Sequence, residues 1–358
     1  MPELPEVETV RIGLDRLLPN KRIVGVTHDV PKSFPNAQAD VEEFLINAEV
    51  VKVRRRAKVL MIDLSTNYSL VIHLKMTGQM VYDGSSRSSV SSRRNSSGTD
   101  VDMDKRFGAG HPNDSLIGQL PDKSTRVTIS FADGSKLFFN DQRKFGWMRL
   151  LPTIEIMNID FFKRVGPEPL QSDFTPKVFI QRLQRRKKSS IKSVLLDQSV
   201  LAGIGNIYAD ESLWGAKIHP ESKIYTLTDA ELQALHSEIV YVLNLAIEKG
   251  GSTDRNYVNA EGKKGSYISF ARVFRKEGQP CKRCGSTIIK TKVAGRGTHV
   301  CPNCQKIAPD IRVAAVSGGQ RRQSRGLGSL GTAATRRKGS LNPVTRASKQ
   351  DSLRKSRI

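Results

Sequence analysis

The chain has 358 residues, enough for about two domains with separate cores. Its 58 Lys and Arg against 35 Asp and Glu leave a net charge of +23, which points to a polyanion: nucleic acid first, an anionic membrane surface second. No apolar run approaches the ~20 residues of a membrane-spanning helix. The start also lacks the basic and apolar regions of a secretory signal, so an intracellular chain with reduced thiols is expected.

The chain opens Met1-Pro2-Glu3-Leu4-Pro5-Glu6-Val7. A small residue behind Met1 favours its removal, which would leave Pro2 with a secondary amine at the terminus. An α-amino group titrates nearer neutrality than a lysine at ~10.4. Unprotonated, it can attack a carbonyl carbon and form a Schiff base. Glu3 stands where a carboxyl can pass protons to and from the reacting group. Pro5 suits a helix's first turn, and Glu6 and Glu8 suit its positive end. Val7, Val10, Leu14 and Leu17 then form one apolar stripe. An ordinary N-terminal helix would show the same pattern.

Strand-like runs follow at Val50 to Val53, Lys58 to Leu64 and Ser69 to Leu74. Arg126 to Phe131 and Lys136 to Phe139 flank a hairpin-type turn at Ala132-Asp133-Gly134-Ser135. Phe145 to Leu151 is a further strand. One helix followed by many short strands suggests a two-sheet sandwich. Arg54-Arg55-Arg56-Ala57-Lys58 reads either as a solvated edge or as a phosphate contact. Residues 84–122 interrupt the sandwich, and Gly84 to Thr99 is Ser-rich with no aromatic residue, a composition expected to be disordered.

Beyond a linker at 151–160 the pattern turns helical. Thr175-Pro176 opens a helix to about Lys187, and Ser189-Ser190 precedes another through Leu196. Gly203-Ile204-Gly205-Asn206 precedes a third, from Ile207 to about Leu213. Thr228-Asp229 caps a long one, with Leu232, Leu235, Ile239, Leu243 and Ile247 at helical spacing. The two glycines permit a tight turn that leaves backbone N–H groups at the next helix start, a place suited to phosphate. A dinucleotide fold fits poorly, because no strand precedes the motif and Tyr208 takes the third-glycine position. A plain helical hairpin also fits. Gly250 to Phe270 is polar and non-periodic.

All four cysteines lie in Cys281-Lys282-Arg283-Cys284 and Cys301-Pro302-Asn303-Cys304. This C-x2-C-x16-C-x2-C spacing is that of a zinc site. Four thiolates close the shell, so the metal is structural, and one Zn2+ is expected. Two disulfides are the alternative. The Thr287 to Thr298 stretch between the pairs reads as a hairpin presenting Lys290, Lys292 and Arg296. Residues 307–358 carry 12 Lys and Arg against 2 Asp and Glu with no aromatic residue, a basic tail expected to be disordered.

MPELPEVETV, HLKMTGQM, DQRKFG, GPEPL, LAGIGNIYADESLW and the four-cysteine module together resemble the bacterial formamidopyrimidine-DNA glycosylases. The resemblance covers roughly residues 1–306 outside the interruption. It implies an α+β chain in four parts. These are a catalytic helix-and-sandwich domain over 1–151 with a disordered insertion at 84–122, a helix–two-turn–helix domain over 152–277, a zinc finger over 278–306 and a disordered tail over 307–358. It implies a glycosylase and abasic-site lyase for 8-oxoguanine and formamidopyrimidines, with Pro2 as nucleophile, Glu3 moving protons and Lys58 at the active site on a DNA phosphate. Met76, Arg143 and Phe145 match the residues that fill the void left by a flipped base. Asn206 and Arg296 match phosphate contacts. A mobile loop within 250–270 is implied to close over that base. Gln142 and Lys144 depart from the usual Asp-Pro-Arg-Arg-Phe-Gly pattern, which puts the strictness of partner-base selection in question. The expected partner is damaged double-stranded DNA, with no membrane, acting as a monomer in a bacterial cytoplasm at the nucleoid. An endonuclease VIII-like enzyme for oxidised pyrimidines is a rival, but such enzymes begin Pro-Glu-Gly-Pro-Glu where this chain has Leu4. A non-catalytic zinc-ribbon DNA-binding protein is the rival of another class.

Overall fold

Helix α1 (Leu4–Leu17) starts where the Glu6 carboxylate turns back to accept the Glu3 N–H at 2.8 Å. Its apolar stripe, Val7, Val10 and Leu14, is fully buried. The structure, a computed structural model, describes residues 1–84, 106–111, 114–116, 118–252 and 267–307. These lie within one unit, Met1–Ile311.

After α1 come β1 (Ile23–His28), the short α2 (Gln38–Asp40) running into a π-turn at Val41–Leu45, then β2 (Val50–Arg56), β3 (Val59–Leu64), β4 (Tyr68–His73), β5 (Gly78–Asp83) and β6 (Arg106–Gly110). Strands β7 (Thr125–Phe131), β8 (Lys136–Asp141) and β9 (Trp147–Pro152) complete two antiparallel sheets, ordered β1-β7-β8-β5-β6 and β2-β3-β4-β9. Strand β3 is buried along its whole length. The sheets share one core with α1, in which Leu14, Leu60, Met80 and Phe139 are fully buried. The sandwich and N-terminal helix are therefore as expected.

The interruption of the sandwich is narrower than 84–122. Strand β6 lies inside that stretch and pairs with β5 from Gln79↔Gly110 to Asp83↔Arg106. Its sequence, Arg-Phe-Gly-Ala-Gly, has low strand propensity, and its place comes from Phe107 entering the core beside α1. Residues 85–105, including most of the Ser-rich run expected to be disordered, lie outside the described residues, as does the tail from 308.

The helical half comprises α3 (Asp160–Arg164), α4 (Pro176–Gln184), α5 (Ile191–Leu195), α6 (Asn206–Gly215), α7 (Asp229–Glu248) and the short α8 (Tyr267–Phe270). Helix α7 carries the full capping box of Thr228 and Glu231, and buries Leu232, Leu235, Ile239 and Leu243 completely. Helix α4 ends at Gln184, earlier than expected, as the chain turns through Arg185 to Lys188. Strands β10 (Ile289–Val293) and β11 (Arg296–Val300) form the hairpin between the cysteine pairs. Among the described residues no helix is long and apolar enough to cross a membrane. Helix α1 packs on β2, β3 and β6 and also on α7, so the chain's first residues lie where the sandwich meets the helices.

Candidate active site and nucleic-acid interface

At this meeting place the terminus docks on α6. The Leu4 N–H donates to the Gly203 carbonyl at 3.0 Å, and the Glu3 carboxylate accepts the N–H of Ile207 at 3.0 Å and of Tyr208 at 3.5 Å. A Cβ on Gly205 would lie 2.3 Å from the Glu3 carboxyl carbon. Glycine at this position thus lets the acid reach the helix start. This corrects the expectation that these N–H groups await a phosphate: an internal carboxylate occupies the positive end of α6.

Glu3 is 3% exposed. Burial pushes its carboxyl up to about 7, opposed by the Lys58 charge and the two helix N–H groups, and reinforced by Glu6. Lys58 is itself buried and donates to the Ile204 carbonyl at 2.8 Å. Its pKa is lowered, first by burial and also by the Arg296 charge, while Glu3 and Glu6 raise it. The β2–β3 turn that presents Lys58 is held by Glu168 of the GPEPL motif. That carboxylate accepts the Ala57 N–H and pairs with Arg55 at 2.9 Å. Arg55 is thereby committed to Glu168 and Glu8. Met1 is exposed, Pro2 is buried, and both line a recess of about 110 Å³ with Glu6, His111, Ile207 and Ser252.

Helix α6 connects the rest of the site. The Tyr208 hydroxyl donates to Glu6. Asp210, fully buried, pairs with fully buried Lys192 at 2.6 Å and accepts the His299 N–H of β11 at 2.9 Å. Lys192 also reaches the Thr298 hydroxyl at 2.7 Å. Glu211, equally buried, accepts three consecutive N–H groups, from Arg272, Val273 and Phe274, at 2.8 to 2.9 Å. Trp214 lies under the Arg283 guanidinium, 3.9 Å from its ring centroid, and in the cluster containing Cys281 and Cys301. Sequence reasoning assigned no site role to Glu6 or Tyr208 and did not single out Glu168, Lys192, Asp210 or Glu211. The available signal was paired acids inside an apolar helix, where a charge is tolerated only with partners.

The DNA-facing candidates fall into two groups. Around α6, Asn206 donates to the Gly297 carbonyl at 2.9 Å, and exposed Arg296 opens β11 close enough for its charge to act on Lys58. On the sandwich, Met76 is half-buried in the β4–β5 turn, and Arg143 and Phe145 are exposed in the β8–β9 turn. Phe145 is a turn residue rather than the first residue of β9. Its ring is 47% exposed, with the Arg143 guanidinium 4.9 Å from its centroid. The interval 253–266 of the polar loop lies outside the described residues.

The four cysteine sulfurs lie within 4.8 Å of one another, and none is in a disulfide. The Cys281–Cys304 and Cys284–Cys301 separations are 3.9 and 3.4 Å. A tetrahedral zinc with metal–sulfur bonds of ~2.3 Å has sulfur–sulfur edges of about 3.8 Å, so the set fits that ion. The Cys284 thiol is lowered to about 5 by hydrogen bonds from Ser286 and Asn303, and burial raises Cys304 to about 12.

Three family models match in chain order: the formamidopyrimidine-DNA glycosylase N-terminal domain over residues 1–148, the H2TH domain of the same enzymes over 165–257, and the zinc finger found in FPG and IleRS over 278–307. The formamidopyrimidine-DNA glycosylase of Pediococcus pentosaceus is 42% identical over 306 residues, 85% of this chain and 99% of that protein. The chain belongs to the formamidopyrimidine-DNA glycosylase family. The Pelotomaculum thermopropionicum enzyme of that name is 38% identical across 86% of this chain and 100% of its own length. Among solved structures, a Lactococcus lactis FPG mutant bound to Fapy-dG DNA superposes with a TM-score of 0.71 at 33% identity, covering 85% of this chain and all of that one. The L. lactis Fpg complex with abasic-site DNA gives 0.70 at 33% identity, over 85% and 99%. MutM with carbocyclic 8-oxo-G DNA gives 0.69 at 33% identity, over 85% and 100%. The helix and sandwich, the H2TH helices and the four-cysteine module are thus the family's own parts.

Proposed function

We propose that this chain excises oxidised purines, 8-oxoguanine and formamidopyrimidines, from duplex DNA and then cleaves the abasic site. Once Met1 is removed, the Pro2 amine attacks C1′ of the damaged nucleotide. The glycosidic bond breaks and the base leaves with the electron pair and a proton. The sugar ring opens to a Schiff base on Pro2. Loss of the 3′ phosphate by β-elimination and of the 5′ phosphate by δ-elimination follows. The Glu3 carboxyl, with a pKa of about 7, can both give and take protons near neutrality. The observation that carries this reading is that acid, buried beside Pro2 and fixed on the start of α6.

The relatives' complexes with Fapy-dG, 8-oxo-G analogue and abasic-site DNA support the substrate class. The target base must leave the stack to reach a buried nucleophile. Met76, Arg143 and Phe145 fill the vacancy, and Lys58, Asn206 and Arg296 hold phosphates around the flipped nucleotide. Cys281, Cys284, Cys301 and Cys304 bind one structural zinc that fixes the hairpin carrying Arg296. The enzyme acts as a monomer in the cytoplasm at the nucleoid. The test is excision of 8-oxoguanine from a duplex. Glu3→Gln should bind abasic-site DNA as the wild type does while losing excision, and normal excision by that variant would refute the proton-transfer role.

A further inference from the structure

The β8–β9 turn lacks the proline usual before its arginine, yet it is tightly held. Asp141, the last residue of β8, is fully buried. One carboxylate oxygen accepts the Thr77 hydroxyl and the Arg143 N–H at 3.2 Å. The other accepts the N–H groups of Phe145 at 2.8 Å and Gly146 at 2.7 Å. Thr77 also accepts the Arg143 N–H at 3.0 Å. This threonine follows Met76 in the β4–β5 turn, so one hydroxyl joins two turns that are 64 positions apart in sequence. A Cβ on Gly146 would lie 2.6 Å from Phe139 Cζ and 3.1 Å from the Asp141 carboxylate, so the close approach requires glycine. Each turn also carries a lysine at positive φ, Lys75 at 50° and Lys144 at 55°. Such backbones persist where neighbouring contacts over-determine them.

We propose that Thr77 and Asp141 are positioning residues for reading the partner base, clasping the Met76 turn to the Arg143 and Phe145 turn as one preformed unit. The proposal rests on the void-filling role given to Met76, Arg143 and Phe145 above. Rigidity that a proline would impose on this loop comes instead from a buried carboxylate and one hydroxyl. If the two turns moved independently, Met76 could enter the stack while Arg143 was out of register with the orphaned base. Joined, they enter together, and the arginine meets the partner base in a fixed orientation. A base whose edge it cannot pair then leaves a buried donor unsatisfied, which is how hydrogen bonding discriminates.

The test compares single-turnover excision of 8-oxoguanine opposite cytosine, opposite adenine and opposite an abasic position. Thr77→Val removes the hydroxyl and keeps the shape, whereas Thr77→Ser keeps the hydroxyl. Thr77→Val should shrink the cytosine-over-adenine ratio about tenfold, as expected for a lost buried hydrogen bond. Its rate opposite the abasic position should match wild type, and Thr77→Ser should retain the wild-type ratio. Asp141→Asn should shrink the ratio as Thr77→Val does, and supplies the same readout if the valine variant does not fold. Arg143→Ala tests the underlying reading. If it keeps the wild-type ratio, the partner-reading role fails and the clasp fails with it. If Arg143→Ala loses the ratio while Thr77→Val keeps it, the clasp alone is overturned. An equal slowing on all three duplexes would make the contact merely structural and overturn it too.

Discussion

The Glu3 carboxylate and the Ile207 backbone N–H meet at 3.0 Å across 204 positions of sequence. The acid that follows Pro2 is therefore positioned by a helix of the other half of the molecule. In the proposed reaction its distance from the sugar depends on the turn that begins α6.

Gly205→Ala tests this directly. The added methyl would enter the space of the Glu3 carboxyl, which must move away from Ile207. Excision should fall at least about tenfold, since small misplacements of a catalytic group are costly, while binding to abasic-site DNA is preserved. Wild-type excision by this variant would show that the Glu3 position is not critical.

The Glu3 titration has a sign that can be checked. Burial raises its pKa from 4.5 to about 7 in the folded state. The folded site thus holds a proton that the unfolded chain has released, and its stabilising contribution is complete below about 4.5 and is lost as pH rises to about 7. Replacing it by Gln should flatten that part of the stability profile. Lys58→Met removes the charge that opposes the shift, so the Glu3 midpoint, followed by carboxyl NMR, should rise further. A fall would contradict the assigned electrostatics.

The Lys192–Asp210 pair joins α5, α6 and the β11 strand in a fully buried setting. Removing one partner strands the other, at a cost of about 3–5 kcal/mol. Lys192→Met should lower the urea midpoint accordingly and weaken DNA binding through the displaced hairpin. The double variant Lys192→Met with Asp210→Leu should recover much of the stability. No recovery would mean that the pair's value lies in the Thr298 and His299 bonds.

Much of this was legible in the sequence. The α1 stripe, the Thr228 cap of α7 and the paired CxxC turns follow from local spacing, and each is found. The strands β1, β5 and β6 were not read, because Gly25, Gly78 and the Arg-Phe-Gly-Ala-Gly run weaken the local pattern and sheet pairing supplies what propensity lacks. Pro2, Glu3 and the cysteines stood out as residue types. The anchors were not: Glu168, Asp210 and Glu211 act across more than 60 positions on Arg55, His299 and Val273. No local period records such a contact. The α6 start misled for the same reason, since its N–H groups are filled by a residue from the other end of the chain.

Metal removal should separate fold from chemistry. A chelator that strips the cysteine site should release one zinc per chain and abolish DNA binding by freeing the hairpin that carries Arg296. Helices α4 to α7 have their own core, so far-UV circular dichroism should change little. Elemental analysis finding no zinc in the purified protein would overturn the assignment.

In the proposed reaction the amine of Pro2 is the nucleophile. Borohydride reduction during turnover should trap a covalent complex between the Met1-processed protein and DNA containing 8-oxoguanine. Peptide mass spectrometry should place the sugar on Pro2, and protein that retains Met1 should give no such adduct. Equal trapping by the blocked and processed chains, or a sugar found on a lysine such as Lys58, would contradict the account.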